Sequence, residues 1–241
     1  MVDIRRSSDR RGDRGSLLSG VVVFVGCVLF LGGFVWGAVV YQPYTVPTDS
    51  MAPTVSSGDR VLAERIDGST VRRGDIVVFE DAVWGSLPMV KRVVGVGGDK
   101  VACCDSKGRL TVNGRPVDEP YLSTKGPASP KGFHSTVPEG RLFLLGDHRD
   151  DSLDSRIHLT DSGKGSVDRF SVKARVDATA WPLSGMGVVA RPDSFAALPG
   201  GVSEPGPVRA IVATILTGAG LILGGAAYGP IARLSGRRRR T

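Results

Sequence analysis

The chain of 241 residues is long enough for one or two domains, and its formal net charge of +7 gives a pI of about 9.7. The excess charge lies at the ends: residues 1–16 carry +2 and residues 233–241 carry +5, which leaves residues 17–232 neutral. A nucleic-acid-binding domain needs a basic face, so the neutral middle argues against nucleic acid as a partner.

Each arginine-rich tail adjoins a long apolar run. Residues 17–41 contain no charged residue in 25 positions, which as a helix is about 37 Å long against a bilayer core of about 30 Å. Residues 210–232 are likewise uncharged. Both runs predict transmembrane helices. The first is too long for the apolar core of a cleavable signal, and residues 39–41 make a poor cleavage site, so we interpret it as an uncleaved anchor.

The tails also predict an orientation in the cell membrane. Arginine-rich flanks stay in the cytoplasm, so both termini are expected inside and residues 42–209 outside. Gly33 and Gly37 have the spacing that lets membrane helices approach closely, as do Gly220 and Gly224. This spacing suggests that the two spans pair.

Residues 42–187 predict a mainly β domain built from antiparallel sheets. Apolar and β-branched runs predict strands, and Asn113-Gly114 predicts a hairpin turn. The loop at 127–138 and the linker at 188–209 are rich in Pro and Gly. The predicted strands are 60–66, 75–79, 90–96, 110–117, 142–145 and 172–181.

The three cysteines predict no metal or cofactor site. Cys27 lies in the first span, and no second Cys or His pair accompanies Cys103 and Cys104. Across a trans peptide, adjacent Cα atoms are about 3.8 Å apart, below the usual disulfide range of roughly 4.4–6.8 Å. A disulfide between these two would be strained, and the sequence leaves their redox state open.

Ser50 lies in the segment PTDSMAPTVSSGD, where Pro47 and Pro53 fix φ and predict an extended backbone. A serine nucleophile needs a base. The candidates include three histidines, and Asp147-His148 suggests a Ser-His-Asp triad. Adjacent residues cannot easily form its Asp-to-His bridge, because the carboxylate must reach the far side of the ring. The other two histidines that could serve as the base are His134 and His158.

Lys91 is the stronger candidate base. It lies in the apolar run VKRVVGV, where alternation places Lys91 and Arg92 on opposite faces, so one of the two must point inward. Burial lowers the pKa of a lysine, which suits a general base. A solvated lysine on the sheet surface remains the alternative on this pattern alone.

Four segments, in this order, resemble the conserved boxes of the type I signal peptidases: TDSMAPTVSSGD, RRGDIVVF, VKRVVGVGGDKV and LLGDHRDDSLDSR. These are membrane-anchored serine–lysine proteases that remove signal peptides. The resemblance implies a catalytic domain of coiled antiparallel β-sheets, with Ser50 as nucleophile and Lys91 as general base. It implies no cofactor.

The resemblance also implies supporting roles for four residues. Ser152 would orient the lysine, and Asp154 and Arg156 would form an ion pair behind the site. The Thr48 hydroxyl would help to form an oxyanion hole with the backbone N–H of Ser50.

The implied substrates are signal peptides of translocated preproteins with small residues at positions −1 and −3. Ser50 is nine residues beyond Tyr41, a reach of about 30 Å, so it would act close to the lipid bilayer. Two residues depart from the family pattern: Asp49 replaces a usually small residue, and His148 replaces an Asn. An esterase or peptidase that uses His148 and a non-catalytic binder of exported chains remain alternatives.

Overall fold

The structure is a computed structural model that describes residues 6–238. The chain forms a β unit, Val40–Gly206, and a helical unit made from the segments on either side of it. The outer ends of both predicted arginine tails, residues 1–5 and 239–241, lie outside the described residues.

The helical unit contains two long helices, Arg6–Val40 and Val208–Arg238. Their segments Leu17–Val40 and Val208–Tyr228 are long and apolar enough to cross a bilayer. These bounds agree closely with the predicted spans, because an uninterrupted apolar run of this length is typical of a single helix that can cross a bilayer.

Glycines let the two helices come close together. A methyl group added at Gly26 would lie 2.9 Å from the Gly218 carbonyl oxygen, and one added at Gly33 would lie 2.6 Å from the Ile215 side chain. The predicted pair Gly220 and Gly224 has nothing within 4 Å. Close approach of the helices is therefore present, but the contacts on the second helix use Gly218 and Gly225 rather than the predicted pair.

The β unit consists of two antiparallel sheets. The larger has the strand order β1-β2-β11-β3-β4-β9-β10, with β12 paired to β11, and the smaller has the order β7-β6-β5-β8. The mainly β prediction is confirmed. The strands are β1 (Tyr41–Thr45), β2 (Arg60–Arg65), β3 (Ile76–Asp81), β4 (Gly85–Val96), β5 (Lys100–Cys103), β6 (Leu110–Val112), β7 (Arg115–Val117), β8 (Phe133–Thr136), β9 (Arg141–Leu145), β10 (Ser166–Asp168), β11 (Val172–Trp181) and β12 (Gly187–Val188).

The hairpin between β6 and β7 turns at Asn113 and Gly114, whose φ angles of 54° and 76° are those that a two-residue turn of this kind needs. The predicted loop at 127–138 is wrong in part, because β8 pairs with β5 within it. Only Phe133 and Ser135 of this strand are buried. An alternation of buried and exposed residues over so few positions, within a segment rich in Pro, Gly and Ser, is too short to predict a strand from the sequence.

Strand β4 lies between β3 and β9 and carries Lys91. Buried side chains cover both faces of the sheet here: Val78 and Val90 belong to one core cluster, Val77 and Val93 to another. As a result both Lys91 and Arg92 are buried, with 5% and 1% of their surface exposed. The prediction that one of the two points inward assumed that only one face of the sheet is covered by other side chains.

The cysteine pair follows β5. Cys103 and Cys104 form a disulfide, and the peptide bond between them is cis rather than the trans bond assumed above. Cys103 packs in the core of the smaller sheet and Cys104 is exposed.

The Pro-rich segment before the second long helix packs against the β unit. Phe195, in the one-turn helix Asp193–Ala196, is fully buried, and Leu198 joins the same core cluster. Arg73 Nη1 donates to the Pro199 carbonyl over 2.6 Å, and the Ser203 hydroxyl donates to Asp75. Residues 188–206 therefore contribute to the core of the domain.

We expect Phe195→Ala to destabilise the β unit by about 3–5 kcal/mol, since it removes a fully buried aromatic side chain. Phe170→Ala is the matched control, because Phe170 is 70% exposed. Denaturant unfolding of the full chain in detergent, followed by near-ultraviolet circular dichroism, measures both. Equal stability of the two variants would contradict the packing of this segment.

Candidate active site

Ser50 lies in a single 3-10 turn, Asp49–Met51, that follows β1. Thr48 is extended, with φ −140° and ψ 162°, but the Ala52 N–H then bonds to the Asp49 carbonyl over 2.9 Å and closes the turn. The prediction of an extended backbone through Ser50 is thus wrong beyond Thr48. Met51, the last residue of the turn, is fully buried, and the local sequence does not reveal this tertiary contact.

The turn brings the Ser50 hydroxyl to the Lys91 amine. A hydrogen bond of 2.6 Å joins Lys91 Nζ and Ser50 Oγ, and only 7% of Ser50 is exposed. The Thr48 hydroxyl donates to the same oxygen over 3.1 Å. A candidate base and a candidate oxyanion donor therefore both lie within hydrogen-bond reach of the candidate nucleophile.

Burial lowers the pKa of Lys91, because desolvation disfavours the ammonium. The charges of Asp154 and Asp147 oppose this shift, whereas Arg156 adds to it, and the lowering effect is the larger. Such an amine can take up the proton of a hydroxyl at a pH where an exposed lysine is already charged.

Both residues open onto a cleft of about 490 Å³. Thr48 and Ser152 line it with them, and its remaining walls are largely apolar, including Met51 and Leu153. This volume and this largely apolar lining are typical of a ligand-binding pocket.

Ser152 reaches this cleft but does not bond to Lys91 in the structure. Its buried hydroxyl has no hydrogen-bond partner among the described residues. It lies over Gly146, where an added methyl group would come within 2.2 Å of Ser152 Oγ and 2.5 Å of the Ser50 carbonyl oxygen. Gly146 thus permits the close approach of two segments that carry site residues.

The predicted ion pair between Asp154 and Arg156 is present. Nε and Nη2 of Arg156 donate to the two carboxylate oxygens of Asp154 over 2.8 Å each. Asp154 also accepts the Gly146 N–H over 3.0 Å. The pair therefore ties the loop that carries Ser152 to the end of β9.

A second buried pair was missed by the sequence reasoning. Arg92 donates from Nε and Nη2 to the two oxygens of Asp147, over 2.8 and 2.7 Å, and the Thr54 hydroxyl donates to the same carboxylate over 2.6 Å. This links the strand of Lys91, the segment of Ser50 and the loop after β9. Two features of the sequence could have indicated this pair: an arginine within an apolar strand, and a Gly-Asp dipeptide directly after another strand.

The histidines do not form a triad. The Asp147 carboxylate is taken by Arg92 and Thr54, and His148 contributes its backbone N–H to the Ser50 carbonyl over 3.1 Å. His134 is exposed on β8, and the His158 ring stacks on Trp84. Among residues 6–238, no histidine side chain bonds to Ser50.

Asp49 faces away from the Ser50 hydroxyl. Its side chain is exposed and accepts the Ser57 N–H over 2.8 Å. In the part of the chain that the structure describes, no group of three or more His, Cys, Asp or Glu side chains could hold a metal ion.

Comparison with known proteins identifies the family. The family described as "Signal peptidase, peptidase S26" matches residues 17–181. Signal peptidase I of Mycobacterium tuberculosis is 32% identical over 221 residues, 70% of this chain and 74% of that protein. Signal peptidase IB of Staphylococcus aureus is 33% identical over 177 residues, 65% of this chain and 86% of that protein.

A crystal structure of a signal peptidase I from Enterococcus faecalis is 30% identical, covers 43% of this chain and 94% of that chain, and has a TM-score of 0.36. The family match and the two relatives lead to one conclusion. The chain belongs to the S26 signal peptidase family, and it is a serine peptidase.

Proposed function

We propose that this protein removes signal peptides from exported preproteins, with Ser50 as nucleophile and Lys91 as general base. The observation that carries the proposal is the 2.6 Å hydrogen bond between Lys91 Nζ and Ser50 Oγ in a buried site. The two relatives supply the reaction, since both are signal peptidases.

In the first half of the reaction, neutral Lys91 takes the Ser50 proton as Oγ bonds to the carbonyl carbon of the scissile peptide. The Thr48 hydroxyl turns from Ser50 Oγ to the oxyanion, beside the backbone N–H of Ser50. The tetrahedral intermediate then breaks its C–N bond, and the Lys91 ammonium gives its proton to the departing amine. The signal peptide is left as an ester on Ser50.

The second half repeats these transfers with water. Neutral Lys91 removes a proton from a water molecule, whose oxygen attacks the ester carbonyl, and the Lys91 ammonium returns a proton to Ser50 as the ester bond breaks. In the proposed reaction the Ser152 hydroxyl, which has no hydrogen-bond partner among the described residues, turns to the Lys91 amine and orients it. The Asp154–Arg156 pair holds the loop that carries Ser152. Lys91 is therefore both base and acid in turn.

The substrate side of the proposal rests on family membership. Preproteins with small side chains at positions −1 and −3 are the proposed substrates. The largely apolar cleft supports binding of such a segment, because small apolar side chains bring little polar surface that must be desolvated.

The anchoring proposal rests on the two apolar helices. Leu17–Val40 and Val208–Tyr228 cross the cell membrane, with both arginine-rich ends in the cytoplasm and the β unit outside. Translocated signal peptides emerge on that outer side.

The test of the reaction uses the full chain in detergent and a preprotein whose signal ends in Ala-x-Ala. Ser50→Ala and Lys91→Ala should abolish cleavage, and Lys91→Arg should fail too, because Arg stays charged. His148→Ala should keep activity. The wild-type rate should rise with pH as Lys91 loses its proton, below the range of an ordinary lysine. Wild-type cleavage by Lys91→Ala would refute the mechanism.

Thr48 gives a second, separate prediction. Thr48→Val keeps the shape but loses the donor, so kcat should fall by about 10²–10³ with little change in KM. Thr48→Ser keeps the hydroxyl and should be near wild type. Steady-state kinetics on a peptide substrate measures both. Full kcat in Thr48→Val would remove Thr48 from the oxyanion site.

The topology is tested in intact cells stripped of their wall. Added protease should cut within residues 42–209 and spare epitope tags placed at either terminus. Loss of the C-terminal tag under these conditions would contradict the second crossing.

A further inference from the structure

The β unit contains a second cavity, of about 260 Å³, which shares no lining residue with the catalytic cleft. The side chains of Arg72, Arg73 and Arg169 line it together with Glu139, and residues 199–201 close one side. Three guanidinium groups around so small a space are unusual unless nearby carboxylates neutralise them.

Only one of the three arginines is neutralised in this way. Arg73 donates from Nε and Nη2 to both oxygens of Asp99, over 2.7 and 2.5 Å. Neither Arg72 nor Arg169 forms an ion pair with any residue of the described range 6–238. Two positive charges at the cavity therefore have no carboxylate in contact.

Main-chain carbonyls hold these two guanidinium groups in place. Arg72 Nη1 donates to the Gly200 carbonyl, and Arg169 donates from Nε to Gly68 over 2.9 Å and from Nη2 to Val71 over 3.2 Å. A guanidinium has five N–H donors, so each keeps donors for a ligand. The carbonyls fix the positions of the guanidinium groups and leave their charge intact.

Two further carboxylates lie near the cavity, but within residues 6–238 neither forms an ion pair with Arg72 or Arg169. Asp67 accepts the Ser69 N–H over 2.7 Å, and its pKa is lowered chiefly by the Ser69 bonds, with a smaller contribution from Arg169. Glu139 lines the cavity but is exposed and forms no ion pair with a described residue. Its charge lowers the affinity for an anion without filling the cavity.

We propose that this cavity binds a phosphate monoester group. Its charge of about −1.5 to −2 at pH 7 suits two arginines that form no ion pair with a described residue, and its oxygens suit forked guanidinium donors. The group could come from a small soluble molecule or from a lipid headgroup such as that of phosphatidic acid. The site is independent of the proposed peptidase reaction.

The first experiment titrates inorganic phosphate into the full chain in a neutral detergent, followed by calorimetry. Arg72→Gln and Arg169→Gln should each weaken binding by about tenfold or more, as expected for loss of a hydrogen bond to a charged group. Glu139→Gln should strengthen it several-fold. Lys107→Gln removes an exposed charge outside the cavity and should leave binding unchanged.

The second arm compares vesicles of phosphatidylcholine with and without phosphatidic acid, using the full chain reconstituted at one density. Arginine-dependent binding in this arm alone assigns the group to a lipid, and binding of inorganic phosphate assigns it to a soluble molecule. No binding in either arm, or equal weakening by Lys107→Gln, overturns the proposal. Arg72 is exposed, so Arg72→Gln decides the outcome even if Arg169→Gln fails to fold. Cleavage by Arg72→Gln should match wild type.

Discussion

The hydrogen bond between Ser50 and Lys91 depends on a lysine whose side chain is buried away from solvent. A buried ammonium is costly, and no carboxylate among residues 6–238 forms an ion pair with Lys91, so burial lowers its pKa. The burial that makes the amine a base extends to its partner, since only 7% of Ser50 is exposed. The rest of the β unit must therefore hold a polar pair in place inside a sheet that is covered on both faces.

Paired ions provide this support without undoing the effect of burial. Asp147 and Asp154 both raise the pKa of Lys91, yet each is bound through two bonds to an arginine, Arg92 and Arg156. The positive charge of Arg156 itself lowers the pKa of Lys91. Carboxylates can thus fasten the site segments together while their charge is largely balanced. Removing one partner of such a buried pair typically destabilises a fold by about 3–5 kcal/mol.

Local patterns in the sequence were enough for much of the fold. The spans, strand β11 and the turn at Asn113-Gly114 follow from uninterrupted apolar runs and turn chemistry. The choice of Lys91 over His148 combined an apolar strand with the family resemblance. What could not be read depends on contacts between distant segments: the 3-10 turn at Ser50, the burial of Arg92 on the second covered face, and the packing of Phe195.

The pKa of Lys91 tests the central claim most directly. Lysine side chains labelled with ¹⁵N or ¹³C in the full chain can be titrated by NMR, with Lys91→Arg to assign the signal. We predict that Lys91 titrates well below the value of about 10.4 that unperturbed lysines share. A Lys91 signal that titrates together with those of the exposed lysines would contradict the account, because the amine would then carry its proton whenever Ser50 must give one up.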